Sequence, residues 1–380
     1  YYAVKGLNTI LGKDYIFGDN YAMLTNRWYK ILNQWYYVDS NGEVLKMHWM
    51  LSGNDWYFLG ENGAMYKNHW YNYKNDWYYF GDDGAMYYNK WLYWKDKWYF
   101  FGGDGIMITN SWYDYNNNWY YFDGDGAAYT EQWYNYKDEW YYFDEDAKMV
   151  TSAWVYYNEA WYYFDGNGRR VENEVDKKID GAYYTFEDGK MQTGWYKLPA
   201  ADKNPAEKLT ENSGSENTDA ENTETATGSN AEAAENNGSE ETAASTASLP
   251  AISGYKYYDE DGKRASGWRT IEGVENISED GEFFRFYFKN GSPYYGKEGL
   301  ELFTIESKKY AFNTAGEMQT GKQSVMTSEG VFANYYFDEE GVMKTGKQTI
   351  YDEDLGETQN WLFHAEGTKK GQGYHGIKDN

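Results

Sequence analysis

Tryptophan recurs in this chain at fixed intervals. Trp28, Trp49, Trp70, Trp91, Trp112, Trp133 and Trp154 fall every 21 residues, and Trp35, Trp56, Trp77, Trp98, Trp119, Trp140 and Trp161 form a second row seven residues behind. A period of this length marks a repeat architecture, in which each unit is too small to bury its own apolar face and must stack on its neighbours. Asn41, Asn62, Asp83, Asp104, Asp125, Asp146 and Asn167 keep the same beat, each before Gly42, Gly63, Gly84, Gly105, Gly126, then Ala147, then Gly168. The rows continue in weakened form outward, with Leu7 and Asp14 in front and Val175 and Ala182 behind, and Gly189 still at the turn position.

Each repeat reads as one β-hairpin. The first strand begins at the leading Trp, as in "WYNY", and the second is "WYYF" or a relative. Between them Asn33, Asn54, Asn75, Asp96, Asn117 or Asp138 stands near the tip, where side chains that tolerate left-handed backbone are favoured. The Asp-Gly or Asn-Gly step closes the second strand, because glycine accepts positive φ without a Cβ clash. Ala147 breaks that row and predicts a locally altered turn. A lone hairpin is at best marginally stable, so the expected fold class is all-β, a solenoid of stacked hairpins.

Composition says what the buried surface is made of. The chain holds 18 Trp, 44 Tyr and 18 Phe, 21% aromatic overall, and each large ring can bury about 150–250 Å². The absence of cysteine excludes disulfides, thiolate catalysis and zinc sites of the Cys type. A net charge of −26 opposes nucleic acid and anionic lipid as partners. No apolar run approaches the roughly 20 residues that cross a bilayer, so no membrane insertion is expected, and the opening at Tyr1 without a basic, apolar leader reads as a mature or trimmed start. The oligomeric state is not legible.

The two arrays are separated by composition. Residues 1–198 carry the 21-residue repeats. Residues 199–250, with "ENSGSENTDAENTETATGSNAEAAENNGSEETAAST" in their middle, read as a disordered acidic linker between two independently moving bodies. Residues 251–380 form a second, looser array in which "YYDEDGKRASGW", "FNTAGEMQTGK" and "YYFDEEGVMKTGK" share an aromatic strand, an acidic turn and a step to Gly-Trp or Gly-Lys. "YYTFEDGKMQTGW" at the end of the first array is written the same way.

The residues resemble the cell-wall-binding repeat superfamily, which includes the choline-binding modules of streptococcal surface proteins and phage lysins, the glucan-binding repeats of glucosyltransferases and the C-terminal repeats of clostridial toxins. The shared pattern is a leading Trp, a second Trp seven residues on followed by Tyr-Tyr, then Asp/Asn-Gly and a Met two residues later, and "WYNYKNDWYYFGDDGAMYYNKW" (70–91) carries it nearly throughout. Two features differ from the family. The period is about one residue longer, and the glycine before the leading Trp is Arg27, His48, His69, Lys90, Ser111, Gln132 or Ala153.

The resemblance implies ligand clefts between consecutive hairpins, caged by two Trp, an aromatic of the next hairpin and a Met. The ligand-binding candidates are Trp49, Trp56, Trp70, Trp77, Trp91, Trp98, Trp112, Trp119, Trp133, Trp140, Trp154 and Trp161, with Met65, Met86, Met107 and Met149. Carried over by motif, Trp70 and Trp77 go with Met86, Trp91 and Trp98 with Met107, and Trp133 and Trp140 with Met149. Such rings serve a quaternary ammonium through cation–π attraction, or stack on the faces of a glucan. The second-strand Tyr and Phe are read mainly as core, since one face of each strand must be buried.

Catalytic motifs are not found. "DGDG" (123–126) is read as a turn and not a calcium loop, because Tyr121 and Gln132 stand where that loop needs acids. With 61 Asp and Glu, carboxylate pairs arise by chance. His48, His69, His364 and His375 form no cluster. No catalytic residue, cofactor or metal is expected, and any enzyme domain lies outside this chain. The expected function is an extracellular module holding a Gram-positive surface protein on choline-decorated teichoic acid or on a glucan or starch. The alternative is a structural stalk or adhesin that uses the repeats as spacers and binds a protein.

Overall fold

The computed structural model describes residues 4–199, 251–352 and 356–375. The segment read as a disordered linker lies, from residue 200 onward, outside them. The described residues contain many antiparallel hairpins and no α-helix, and no helix long and apolar enough to cross a membrane. Two compact units are present, residues 1–171 and 172–380.

In the first unit, eight two-stranded hairpins follow one another, from Gly6–Ile10 with Lys13–Phe17 to Ala153–Tyr157 with Ala160–Phe164. Two residues make each tip. Both commonly have positive φ, as at Lys74 (54°) and Asn75 (74°), which suits the twist of a tight hairpin. Each leading Trp sits across from a second-strand ring or its equivalent, Trp70 opposite Tyr79 for example, and each second-row Trp sits across from a polar or surface residue such as Asn72. Alternation then buries the other face: Leu59, Phe80, Phe101, Phe122, Phe143 and Phe164, which end successive second strands, are all fully buried.

Hairpins are joined by a recurring bond. After each second strand the chain turns back on itself, and the residue in the methionine slot donates its amide to the second-row Trp carbonyl of the preceding hairpin. Met65 reaches Trp35, Met86 reaches Trp56, Met107 reaches Trp77, Ala128 reaches Trp98, Met149 reaches Trp119 and Arg170 reaches Trp140, all at 2.8–2.9 Å. This is the solenoid expected from the repeat.

The longer period has a local cause. In the second unit Gly194, Gly267, Gly321 and Gly346 hold positive φ directly before the leading position. In the 21-residue repeats positive φ falls one residue earlier, at Asn26, Asn68, Asn89 or Asn110, while the residue before the leading Trp pairs with the end of the second strand in both units, as His69 does with Phe80 and Gly194 with Tyr258.

The altered turn expected at Ala147 is not present. Ala147 takes φ of 64°, and its amide bonds Asp144 O at 3.0 Å just as Gly126 bonds Asp123 O. The Asp144 carboxylate holds this turn by accepting the Asp146 and Lys148 amides. The reason for alanine lies one repeat away. A Cβ on Gly84, Gly105, Gly126 or Gly168 would come within 2.3–2.6 Å of the terminal methyl of Met65, Met86, Met107 or Met149. The residue in the slot before Ala147 is Ala128, and Ala147, only 1% exposed, packs with Phe100, Tyr120, Phe122 and Ala128 in the space a methionine would fill.

In the second unit the strand before the acidic segment pairs with the strand after it. Gly194–Lys197 lies antiparallel to Tyr255–Tyr258, and the Leu198 amide bonds Gly254 O at 2.7 Å. The boundaries at 198 and 251 therefore flank two paired strands. Loop-closure cost rises only slowly with length, which lets strands pair at such a separation in sequence. A half-buried ionic cluster spans the same join: Asp176 binds Lys256, accepts from Tyr258 at 2.9 Å and pairs with Arg264 at 2.8 Å. Thr185 donates to Tyr258 at 2.6 Å.

Two outcomes are expected. Ala128→Met alone overfills the site and destabilises by about 1–3 kcal/mol. Adding Ala147→Gly recovers that loss, so a double-mutant cycle by denaturant unfolding gives a coupling of at least about 1 kcal/mol. At Asp176, burial raises the carboxyl pKa, but hydrogen bonds from Lys256, Tyr258 and Arg264 outweigh it and leave the group below its ordinary value. A depressed carboxylate stabilises the fold above its unfolded pKa of about 3.9 and loses that contribution as pH falls toward the folded value. The acid limb of the stability-versus-pH curve should therefore be shallower in Asp176→Asn; an unchanged limb contradicts this.

Candidate aromatic clefts

The two tryptophan rows differ in burial. Leading rings are half-buried, whereas Trp56, Trp77, Trp98, Trp119, Trp140 and Trp161 are exposed. Within one hairpin the two meet edge to face: Trp49–Trp56, Trp70–Trp77, Trp91–Trp98, Trp112–Trp119 and Trp133–Trp140 have centroids 6.2–6.5 Å apart and planes at 79–90°. A third ring comes from the next hairpin. It is Tyr57 against Trp28, Tyr78 against Trp49, Tyr99 against Trp70, Tyr120 against Trp91, Tyr141 against Trp112 and Tyr162 against Trp133, at 4.9–5.5 Å.

These rings enclose open clefts. Trp70, Trp77, Tyr99 and Met107 line one of about 420 Å³ with Asp125 at its rim. Trp91, Trp98 and Tyr120 line one of about 300 Å³ with Glu145 and Asp146. Trp28, Trp35, Tyr57 and Met65 line one of about 260 Å³ with Asp83. Burial first, then the carboxylates Asp55 and Asp83, push the Tyr57 phenol above its ordinary pKa, and burial, then Asp76 and Asp104, does the same to Tyr78. Carboxylates thus stand near both phenols, while Lys95 lines the Trp70 cleft and Lys148, paired with Asp146 at 2.9 Å, lines the Trp91 cleft.

The methionine assignments shift by one hairpin. Met107, not Met86, stands beside Trp70 and Trp77; Met86 is bonded to Trp56, and Met149 to Trp119, not to the Trp133 cleft. The turn-back places each methionine on the preceding hairpin, which linear spacing does not reveal. Ala128 holds the slot at Trp91 and Trp98, and Arg170 holds it at Trp133 and Trp140. The sequence reading also left out Trp28 and Trp35, whose cleft matches the others, and, while expecting an aromatic of the next hairpin in each cage, read the second-strand tyrosines mainly as core. For Trp154 and Trp161, contacts within the first unit are to Tyr163 at 5.0 Å and Tyr156 at 5.1 Å.

In the second unit the same positions carry other groups. Trp268 and Tyr310 lie 4.7 Å apart, and Arg285 stands where a second Trp would, its guanidinium 4.4 Å from the Trp268 ring and its carbonyl bonded by Met318. Arg264, in a methionine slot, bonds Tyr183 O and lies 3.9 Å from the Tyr183 ring. The described residues contain no group of three or more acids and histidines arranged for a metal.

Stacked two-stranded hairpins with aromatic clefts at their junctions define a repeat-built scaffold. Seven segments, residues 26–44, 49–65, 68–86, 89–107, 110–128, 131–146 and 152–169, match the family described as "Putative cell wall binding repeat". Residues 26–169 thus match a run of such repeats. No curated protein matches the chain. Among solved structures from Streptococcus pneumoniae, the modular autolysin LytC aligns at 23% identity over 50% of this chain and 48% of its own, with a TM-score of 0.39. The choline-binding domain of CbpL aligns at 26% identity over 50% and 97%, TM-score 0.42. Choline binding protein F with a peptidoglycan analogue aligns at 18% identity over 76% and 92%, TM-score 0.44. The alignment spans about half the length of the autolysin.

Substitution should separate the two rows. Trp70 packs on Tyr79, Trp94, Tyr99 and Phe101, so Trp70→Ala is expected to lower stability by about 3 kcal/mol. Trp77, 42% exposed, should cost about 1 kcal/mol or less. Equal losses in denaturant unfolding would show both rings to be core.

Proposed function

We propose that residues 26–169 bind a quaternary ammonium group, the choline of cell-wall teichoic acid, in the aromatic clefts, and so hold a surface protein on a Gram-positive cell wall. The chain acts in this reading as a binding module without a reaction of its own. The observation that carries it is the pairing of ring cage and acid. Trp70, Trp77 and Tyr99 line a cleft with Asp125 at its rim beside Lys95, Asp83 lies at the rim of the Trp28 cleft, and Glu145 joins an Asp146–Lys148 pair at the Trp91 cleft.

A cation gains about 0.5–2 kcal/mol over a ring face, more as it is desolvated, and a neighbouring carboxylate adds attraction. A neutral glucan gains the stacking but nothing from the acids, and a polyanion backbone is kept off by the chain's net charge of −26. Recognition therefore falls on the cationic headgroup. Each cleft is weak alone, and several in series on a polymer raise avidity through effective concentration.

The test is retention on choline-derivatised resin beside retardation in gels containing α-glucan. Retention on the resin, release by free choline and weakened retention after Trp77→Ala are expected. Retardation by α-glucan without resin binding would move the assignment to a polysaccharide.

A further inference from the structure

The cleft of Trp133, Trp140 and Tyr162 has the same ring geometry as its neighbours, with Trp133–Trp140 at 6.3 Å and Trp133–Tyr162 at 5.0 Å. Its methionine slot holds Arg170, anchored like the others by an amide bond to Trp140 O at 2.8 Å. The guanidinium carbon lies 5.5 Å from the Trp133 ring, 5.5 Å from Trp140 and 5.7 Å from Tyr162. One side chain of the protein thus faces all three walls of a cation cage.

We propose that Arg170 is the resident cation of this cleft and closes it to external ligand. The inference rests on the cation reading of the clefts. Guanidinium is planar, charged at any relevant pH and more weakly hydrated than an ammonium, which suits it to a face-on position between indoles. Its tether fixes the outcome of competition: a group held on a short chain has an effective concentration of order millimolar, and this one is already half-buried among the rings. A weakly binding free choline must displace it. Arg285 over Trp268 and Arg264 over Tyr183 apply the same chemistry in the second unit. In the first unit Arg170 ends the run of open junctions, so occupancy by external cations stops one hairpin before the last.

Calorimetric titration of the full chain with choline chloride reads the number of sites, with circular dichroism as a control on folding. Arg170→Met should bind one equivalent more than the parent. Equal stoichiometry in two folded proteins that both bind choline overturns the proposal. If the parent binds none and Arg170→Met binds one, the closure stands while the parent's proposed function falls. If neither binds, NMR of the Arg170 side chain decides: upfield, ring-shifted resonances that return toward ordinary positions in Trp140→Ala support the resident cation, and unshifted resonances in the parent overturn it.

Discussion

One backbone hydrogen bond sets the geometry from which the clefts follow. In the first unit every sheet is an isolated pair of strands, so no continuous ladder ties one hairpin to the next. The amide in the methionine slot, donated to the second-row Trp carbonyl of the hairpin before, supplies a fixed point of attachment. Around it the leading Trp of one hairpin and the second-strand tyrosine of the next come together at about 5 Å. Stability in such a fold is a sum over neighbouring junctions. The cleft is the gap that remains when a half-buried ring packs and an exposed ring seven residues away stands free, and so binding geometry comes with the stacking.

The hairpins and their order were legible because period, turn residues and strand composition all report on local backbone. The ring rows were legible for the same reason, but the difference in burial between Trp70 and Trp77 was not. What the sequence hid was the direction of stacking. The turn-back after each second strand moves Met107 to Trp77, and nothing in linear spacing says which of two neighbours a residue will touch. The third-ring tyrosines were hidden by their resemblance to core residues, since Tyr99 packs on Trp70 and lines the cleft at once. At the acidic segment composition spoke only to the segment itself. A loss of aromatics signals that packing stops, but the pairing of Gly194–Lys197 with Tyr255–Tyr258 resumes beyond it.

Charge completes the account of the clefts. The acids that close the turns satisfy their own backbone, as Asp83 does by accepting the Ala85 amide, and the same carboxylates fall at the rims of clefts two hairpins back. Turn chemistry thus sets the electrostatics of a neighbouring ring cage. Where the chain places a guanidinium against such rings, at Arg170, Arg264 and Arg285, attraction becomes internal and the junction is held by the protein's own charge.

The Ala128 and Ala147 pair bears on how such a chain can grow or shrink. Methionine and the glycine above it form a fitted pair at the Met65, Met86, Met107 and Met149 junctions, and here both halves have changed together. The two residues belong to different repeats. Copying or deleting a single unit at this joint would bring a methionine under an alanine or leave an alanine under a glycine, one a clash and the other a hole. Repeats whose slot holds Met65, Met86, Met107 or Met149 are interchangeable in this respect, whereas the two that meet at Ala128 and Ala147 fit only each other.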